Sequence, residues 1–517
     1  MAVNKIYEKF NSVGEILRNS AKIFYEKPAV IFRESKVSYL HLEILSNKLA
    51  SFLKKNGVER GKNVCLYCPN IPEFLISYFG IIKTGATVVP VNVLLSSEEI
   101  KYIAENSECA GFIYFEGFEE NLLNIKDSLP SILITTGEKK NIDCITFKEI
   151  FNSESEKFEI TRVNQREDVC AILYTSGTTG KPKGAMLTHR NLLFNINSIT
   201  EAVPLNERDI FLTVLPLFHA FGATACMLTP LTIGATISLV LKFAPYEVVK
   251  TIRETKSTIF IGVPSMYNVL SSLPDEMNSN LSSLRFCISG GASLPFEVKE
   301  KFEKKFGKII YEGDGPTECS PVTSVNPVGG ICKPGSIGKP VPGVEMKIVD
   351  EEGNELEKGK IGEIVVRGEN VMKGYYKMEE ETKKSFFGEW FRTGDMGYED
   401  EDGYFYIVDR KKDMIIVSGM NVYPRMIEEV IYRHPGVDEV AVVPEPHPVY
   451  GEVPKAVIKV KENAEISKSE IVNLCRKHLG KHEIPRKIEF VKELPKTPTG
   501  KIDKKLLISK GRRGKCI

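Results

Sequence analysis

Over its first two thirds the chain alternates short, wholly apolar runs with longer helical ones. Asn63–Tyr67 is strand-like, the nearly all-apolar helix candidate Glu73–Lys83 follows it, and Thr87–Val91 is strand-like again. Ser96-Ser97-Glu98-Glu99 then opens a helix: a hydroxyl at its start and a carboxylate three residues on satisfy each other's free N–H groups. The alternation resumes at Val169–Tyr174, Ile210–Val214, Thr236–Leu241, Thr258–Val263 and Phe286–Ser289. Apolar strands alternating with helices predict parallel sheets covered on both faces.

After about Gly335 the texture changes to short strands and Gly-rich turns: Glu345–Val349, the turn at Asp350-Glu351-Glu352-Gly353, then Glu363–Arg367. This pattern predicts an antiparallel, β-barrel-like subdomain over about 336–408. Tyr404–Val408 and Met414–Val417 flank the charged turn Asp409-Arg410-Lys411-Lys412-Asp413, where the main boundary is expected. The predicted fold class is therefore α/β. A large N-terminal domain (1–410) of covered parallel sheets carries the barrel-like subdomain, and a small α+β C-terminal domain (411–517) follows.

The 517 residues are 42% hydrophobic and 26% charged, enough for a sizeable core. Lys+Arg 69 against Asp+Glu 68 gives a net charge of +1, without the basic footprint of a nucleic-acid binder. That balance is uneven, since residues 411–517 carry +8 and the remainder −7. A basic small domain beside an acidic large one suits a polyanionic ligand. Eleven cysteines are ordinary for a reducing compartment, and Cys170, Cys226 and Cys287 sit in apolar runs as small hydrophobes. Cys65 and Cys68 form a C-x-x-C within a strand-like run, which predicts thiols on opposite faces and no metal or redox site. Cys475, His478 and His482 have loosely ligand-like spacing, but Gly480 interrupts any shared helical face, and solvated surface is the expectation. The N-terminus lacks a secretory pattern. Phe211–Leu241 holds no formally charged residue, yet Pro216, Gly222, Pro230 and Gly234 break it, so strand, buried helix and strand are expected rather than a membrane span. A cytoplasmic protein without a transmembrane segment follows.

The strongest chemical signal is Tyr174-Thr175-Ser176-Gly177-Thr178-Thr179-Gly180-Lys181-Pro182-Lys183-Gly184, directly after a strand. Four hydroxyls, amides freed by three glycines and two ammonium groups suit a phosphate chain. It is not the P-loop of kinases, because Pro182 stands where a magnesium-binding hydroxyl would be. Gly313-Asp314-Gly315-Pro316-Thr317-Glu318 offers a hydroxyl to phosphate and a carboxylate to Mg²⁺. In Trp390-Phe391-Arg392-Thr393-Gly394-Asp395 a carboxylate after a tight turn suits ribose hydroxyls, and Pro498-Thr499-Gly500-Lys501 projects a lysine from a Gly turn.

Together and in this order these segments resemble the adenylate-forming superfamily, with the best likeness to medium- or long-chain fatty-acid CoA ligases. Leu215-Pro216-Leu217-Phe218-His219, Ser289-Gly290-Gly291-Ala292, the charged turn and Ser418-Gly419-Met420-Asn421-Val422-Tyr423-Pro424 are similar to family motifs as well. The resemblance implies an AMP-forming acid–thiol ligase. A carboxylate attacks the α-phosphorus of ATP, releasing pyrophosphate, and the thiol of coenzyme A then displaces AMP. An aryl or other carboxylate CoA ligase, or an acyl-AMP ligase loading a carrier protein, is the alternative.

By that resemblance Thr175, Ser176, Gly177, Thr178, Thr179, Gly180, Lys181 and Lys183 hold the β- and γ-phosphates. Thr317 holds the α-phosphate, Glu318 the Mg²⁺, and Asp395 the ribose with Arg410 close by. Gly291, Ala292, Gly313, Asp314 and Gly315 border the adenylate, while Phe218, His219 and Gly290 border the acyl group. Lys501 reaches the reacting carboxylate and phosphate, Lys412 is the hinge of a mobile C-terminal domain, and Ser418 and Gly419 lie along the pantetheine arm of CoA. Asp314 departs from the family, whose members commonly carry there an aromatic ring that stacks on adenine. A homodimer is expected by analogy. Peripheral membrane contact is left open, because fatty acids partition into bilayers although no amphipathic basic helix is evident in the sequence.

Overall fold

The structure is a computed structural model that describes residues 5–175, 182–418, 420–462, 464–496 and 502–513. The apolar runs fold into two large sheets. In the first, Ile145–Thr146, Ile132–Thr135, Cys109–Tyr114, Asn63–Tyr67, Thr87–Pro90 and β1 (Val169–Thr175) run parallel, and Lys183–Thr188 returns antiparallel to β1. Asn63–Tyr67 is buried at every position, as is nearly all of the helix Pro72–Lys83 behind it, which is why both read as continuous apolar sequence. Ser96 and Glu99 close the expected capping box on helix Ser97–Asn106.

The second sheet follows helix α1 (His189–Ala202). Its strands β2 (Ile210–Thr213), β3 (Ile259–Gly262), β4 (Phe286–Ser289) and β5 (Ile310–Asp314) are parallel, in the order β5-β4-β3-β2, and continue into Thr236–Leu239 and Pro28–Phe32. The strand expected at Lys308–Tyr311 lies two residues further on, so that β5 carries Glu312, Gly313 and Asp314. The uncharged stretch folds as strand, helical segment and strand, and its helical part contains a π-turn over Thr224–Leu228. Among the described residues no helix is long and apolar enough to cross a membrane.

Glu345–Val349, Gly362–Arg367, β6 (Trp390–Glu399) and β7 (Phe405–Arg410) pair antiparallel. Beyond the turn at 411–413 a further sheet begins with Ile415–Val417. Helix α2 (Pro424–Tyr432) packs on it over a separate hydrophobic core that includes Ile427, Val442, Ile458 and Ile471.

Three expectations meet the structure differently or more sharply. Cys65 and Cys68 are both buried and free but belong to different hydrophobic clusters, as strand alternation requires. Cys475 is not solvated surface. It sits on the inner face of helix Lys468–His478 with no exposure, while His478 faces solvent. The chain also has a basic helix that its sequence did not reveal, α3 (Lys504–Arg513). Its first turn points inward, with Lys504 Nζ 2.8 Å from Glu428 Oε1 and Leu507 packed against Ala441, Val457 and Leu494.

Candidate active site

A cavity of about 980 Å³ opens at the carboxyl ends of β3, β4 and β5. In a parallel sheet this is where strand ends and following loops leave room for ligands. Thr175, Thr317, Glu318, Asp395, Arg410 and Lys412 line its polar side, and Ile199, Val203, Phe211, Ile259 and Ile261 its apolar extension. Four segments distant in sequence therefore converge on one space.

Gly315 permits the approach of the Thr317–Glu318 turn, since a Cβ there would fall 1.7 Å from the Pro321 carbonyl oxygen. Glu318 Oε1 accepts a hydrogen bond from the Tyr375 hydroxyl at 2.8 Å, which fixes the carboxylate's direction. Burial, reinforced by that carboxylate, pushes the Tyr375 phenol above its ordinary pKa, so it stays a donor. Asp395 on β6 and Arg410 on β7 are register partners, and Arg410 Nε lies 2.6 Å from Asp395 Oδ1. Asp395 is 2% exposed. Its charge, followed by those of Asp314 and Glu318, raises the pKa of the Arg410 guanidinium. Asp314 thus supplies negative charge felt by Arg410 at the position where the sequence departs from the family's aromatic residue, while its carbonyl accepts the Thr323 N–H at 2.9 Å. Lys412 lines the same space although it is exposed on its outer side, and partial desolvation, then repulsion by Arg410, lowers its pKa.

His219 caps the short helix Ala220–Ala223, its Nδ1 accepting the Phe221 N–H at 3.3 Å. Phe218, His219, Gly290, Gly291, Ala292, Gly313 and Asp314 all line the cavity. At Gly290 a Cβ would meet the Phe221 ring at 3.1 Å, so the missing side chain is what lets that ring close over the strand end.

Two predicted residues do not line this cavity. Lys183 Nζ lies 2.5 Å from Glu381 Oε2 and over the Tyr375 ring. Ser418 is exposed on the hairpin of Ile415–Val417 and Met420–Val422, with φ +50°, and its N–H donates to the Tyr450 carbonyl. Ser176, Gly177, Thr178, Thr179, Gly180, Lys181, Gly419 and Lys501 lie outside the described residues. Ile502, Asp503, Lys504 and Lys505 do line the cavity.

Among the lining residues that escaped the sequence reading, Glu312 and Arg425 tie neighbouring elements together. Glu312, 4% exposed, accepts the Leu294 N–H at 3.0 Å and so ties β5 to the Gly290–Leu294 loop. Burial raises its pKa to about 7, against the lowering pull of Arg425. Arg425, near the start of α2, donates its backbone N–H to Asp409 Oδ2 at 2.8 Å and a guanidinium N–H to the Ile407 carbonyl. The only signal in the sequence was a lone carboxylate inside the apolar run Ile309-Ile310-Tyr311-Glu312.

Comparison with known proteins decides the family. Residues 17–376 match the model of the AMP-binding enzyme, and residues 426–501 that of the AMP-binding enzyme C-terminal domain. The chain belongs to the AMP-binding enzyme family. It is an adenylate-forming ligase. The long-chain-fatty-acid–CoA ligase of Bacillus subtilis (strain 168) is 38% identical, with 96% of this chain and 94% of that protein covered. The anthranilate CoA ligase AuaEII, solved in complex with anthranoyl-AMP, superposes with a TM-score of 0.92 at 31% identity, covering 98% of each chain. ATP-bound MatB from Rhodopseudomonas palustris, 30% identical, gives a TM-score of 0.88 over 96% of this chain and 98% of its own. Apo MatB, covering 96% and 99%, gives 0.78. The arrangement seen here is nearer to the ATP-bound form.

Proposed function

We propose that this AMP-binding family member is an ATP-dependent fatty-acid CoA ligase. A fatty carboxylate attacks the α-phosphorus of ATP to give acyl-AMP and pyrophosphate, and the CoA thiol then attacks the acyl carbon and releases AMP. One observation carries the reading: a single cavity joins the Thr317–Glu318 and Asp395–Arg410 polar side to an apolar extension between α1 and the sheet. The relative in Bacillus subtilis named for that activity supports it.

The chemistry asks the protein mainly to position reactants and neutralise charge, because a carboxylate is a weak nucleophile and pyrophosphate a highly charged leaving group. Thr175 and the loop after it take the β- and γ-phosphates and Thr317 the α-phosphate. Asp395, held by Arg410, accepts the ribose hydroxyls. Glu318, oriented by Tyr375, offers the hard oxygen donor that magnesium takes alongside substrate phosphates. That ion supplies charge neutralisation when bound. Lys183 reaches phosphate only on leaving Glu381. Lys501 acts at the reacting carboxylate, Lys412 as the hinge between residues 1–410 and 411–517, and Ser418 with Gly419 along the pantetheine arm. The described cysteines are free and mostly buried, which suits the cytoplasm.

The likeness to an anthranilate CoA ligase favours a second reading, an aryl carboxylate substrate. AMP release measured with octanoate, palmitate and coumarate, with and without CoA, tests both. Turnover of the aliphatic acids supports the proposal; turnover of coumarate alone replaces it.

A further inference from the structure

We propose that the row formed by Ile259 and Ile261 on β3 and Val263, the extended residue just beyond it, is the ruler against which the acyl chain is measured, with the connection at Val203–Leu205 as its far stop. The proposal rests on the fatty-acid reading given above. Residues two apart on a strand share a face, so from Ile259 to Val263 the row spans roughly 13 Å at the usual rise. All three line the cavity, whereas the intervening Phe260 packs on the Tyr267 ring on the opposite face, centroids 5.1 Å apart.

The two ends differ in chemistry. At the Val263 end β3 meets the polar site, where the Gly290 N–H donates to the Gly262 carbonyl at 3.2 Å. At the other end Phe211 is the register partner of Ile259 and lines the same wall. Val203 and Leu205 also line the cavity and belong to the segment that feeds β2 at this end. Between the ends stands the π-turn. Leu212 pairs with Phe260, which puts Thr213 level with Ile261, and the Thr213 hydroxyl donates to the Cys226 carbonyl at 3.1 Å. The small side chain of Ala225 therefore flanks the channel midway and leaves it open.

A channel graduated in this way makes a positional prediction. A bulky side chain at Ala225 excludes medium and long chains, and one at Val203 excludes only the longest. The experiment compares kcat/KM for CoA-ester formation by the wild type, Ala225→Phe and Val203→Phe across straight-chain acids from hexanoate to palmitate. Ala225→Phe is expected to lose about 100-fold or more on dodecanoate and longer acids relative to hexanoate, as steric misfit in an apolar pocket does. Val203→Phe is expected to keep dodecanoate and to lose a comparable factor on palmitate alone. A wild-type profile at both positions, or equal loss on every acid including hexanoate, overturns the ruler and leaves the fatty-acid reading standing. A wild-type enzyme that activates none of these acids overturns that reading, and the ruler with it.

Discussion

Glu312 and Lys501 illustrate how differently one charged side chain can matter. Lys501 is expected to neutralise the charge that develops at the α-phosphate. Loss of one such preorganised group typically costs about 10²–10³ in rate. Lys501→Ala should therefore lose carboxylate-dependent pyrophosphate exchange by that factor while still forming thioester from supplied acyl-AMP; unaltered exchange would remove the residue from the first step. Glu312 is a matter of stability. Unfolded, its carboxyl ionises near the ordinary value of 4.5, but in the fold it holds its proton to about 7. The native state thus binds the extra proton between those values, and stability falls as pH rises across that window. Glu312→Gln keeps an acceptor for the Leu294 N–H without the ionisation. In thermal unfolding the variant should gain on the wild type between pH 5 and pH 8, and a constant difference in Tm would show that Glu312 does not titrate there.

At the scale of elements, much was legible because local chemistry and tertiary placement agree. The Ser96–Glu99 box predicted its helix start, and Ser96→Ala should lower stability by about 1 kcal/mol in urea unfolding, whereas no change would mean that the cap is dispensable. The strand at Phe286–Ser289 was readable to the residue, since its apolar run is bounded by polar turns. What stayed hidden depends on partners distant in the chain. Nothing near Cys475 announces that its helix face is covered by a sheet, and nothing near Lys183 announces Glu381. The candidate site was visible as motifs such as Thr317–Glu318, but Glu312 joins it only through the pairing of β5 with β4, and Arg425 only through the approach of α2 to β7. The turn at 411–413 connects those parts. If Lys412 absorbs the change between the two half-reactions, Lys412→Pro should block thioester formation and leave adenylation, as separate assays of the two steps would record; equal loss of both would argue against a hinge.

For the whole molecule, the cavity belongs to both parts of the chain. Its polar side comes from the large sheets and from β6–β7, and its rim from Arg425, Glu428 and residues 502–505. Asp409 fastens that rim by accepting the backbone N–H groups of Arg410 at 2.7 Å and Arg425 at 2.8 Å. On the proposed mechanism this cavity joins a fatty carboxylate to AMP before any thiol is involved. The most direct test is pyrophosphate release from ATP and palmitate, measured first without CoA and then with it. A carboxylate-dependent burst matching the enzyme concentration is expected without CoA, and continuous release of pyrophosphate and AMP once CoA is added. Formation of ADP and phosphate, or pyrophosphate release indifferent to the acid, would contradict it.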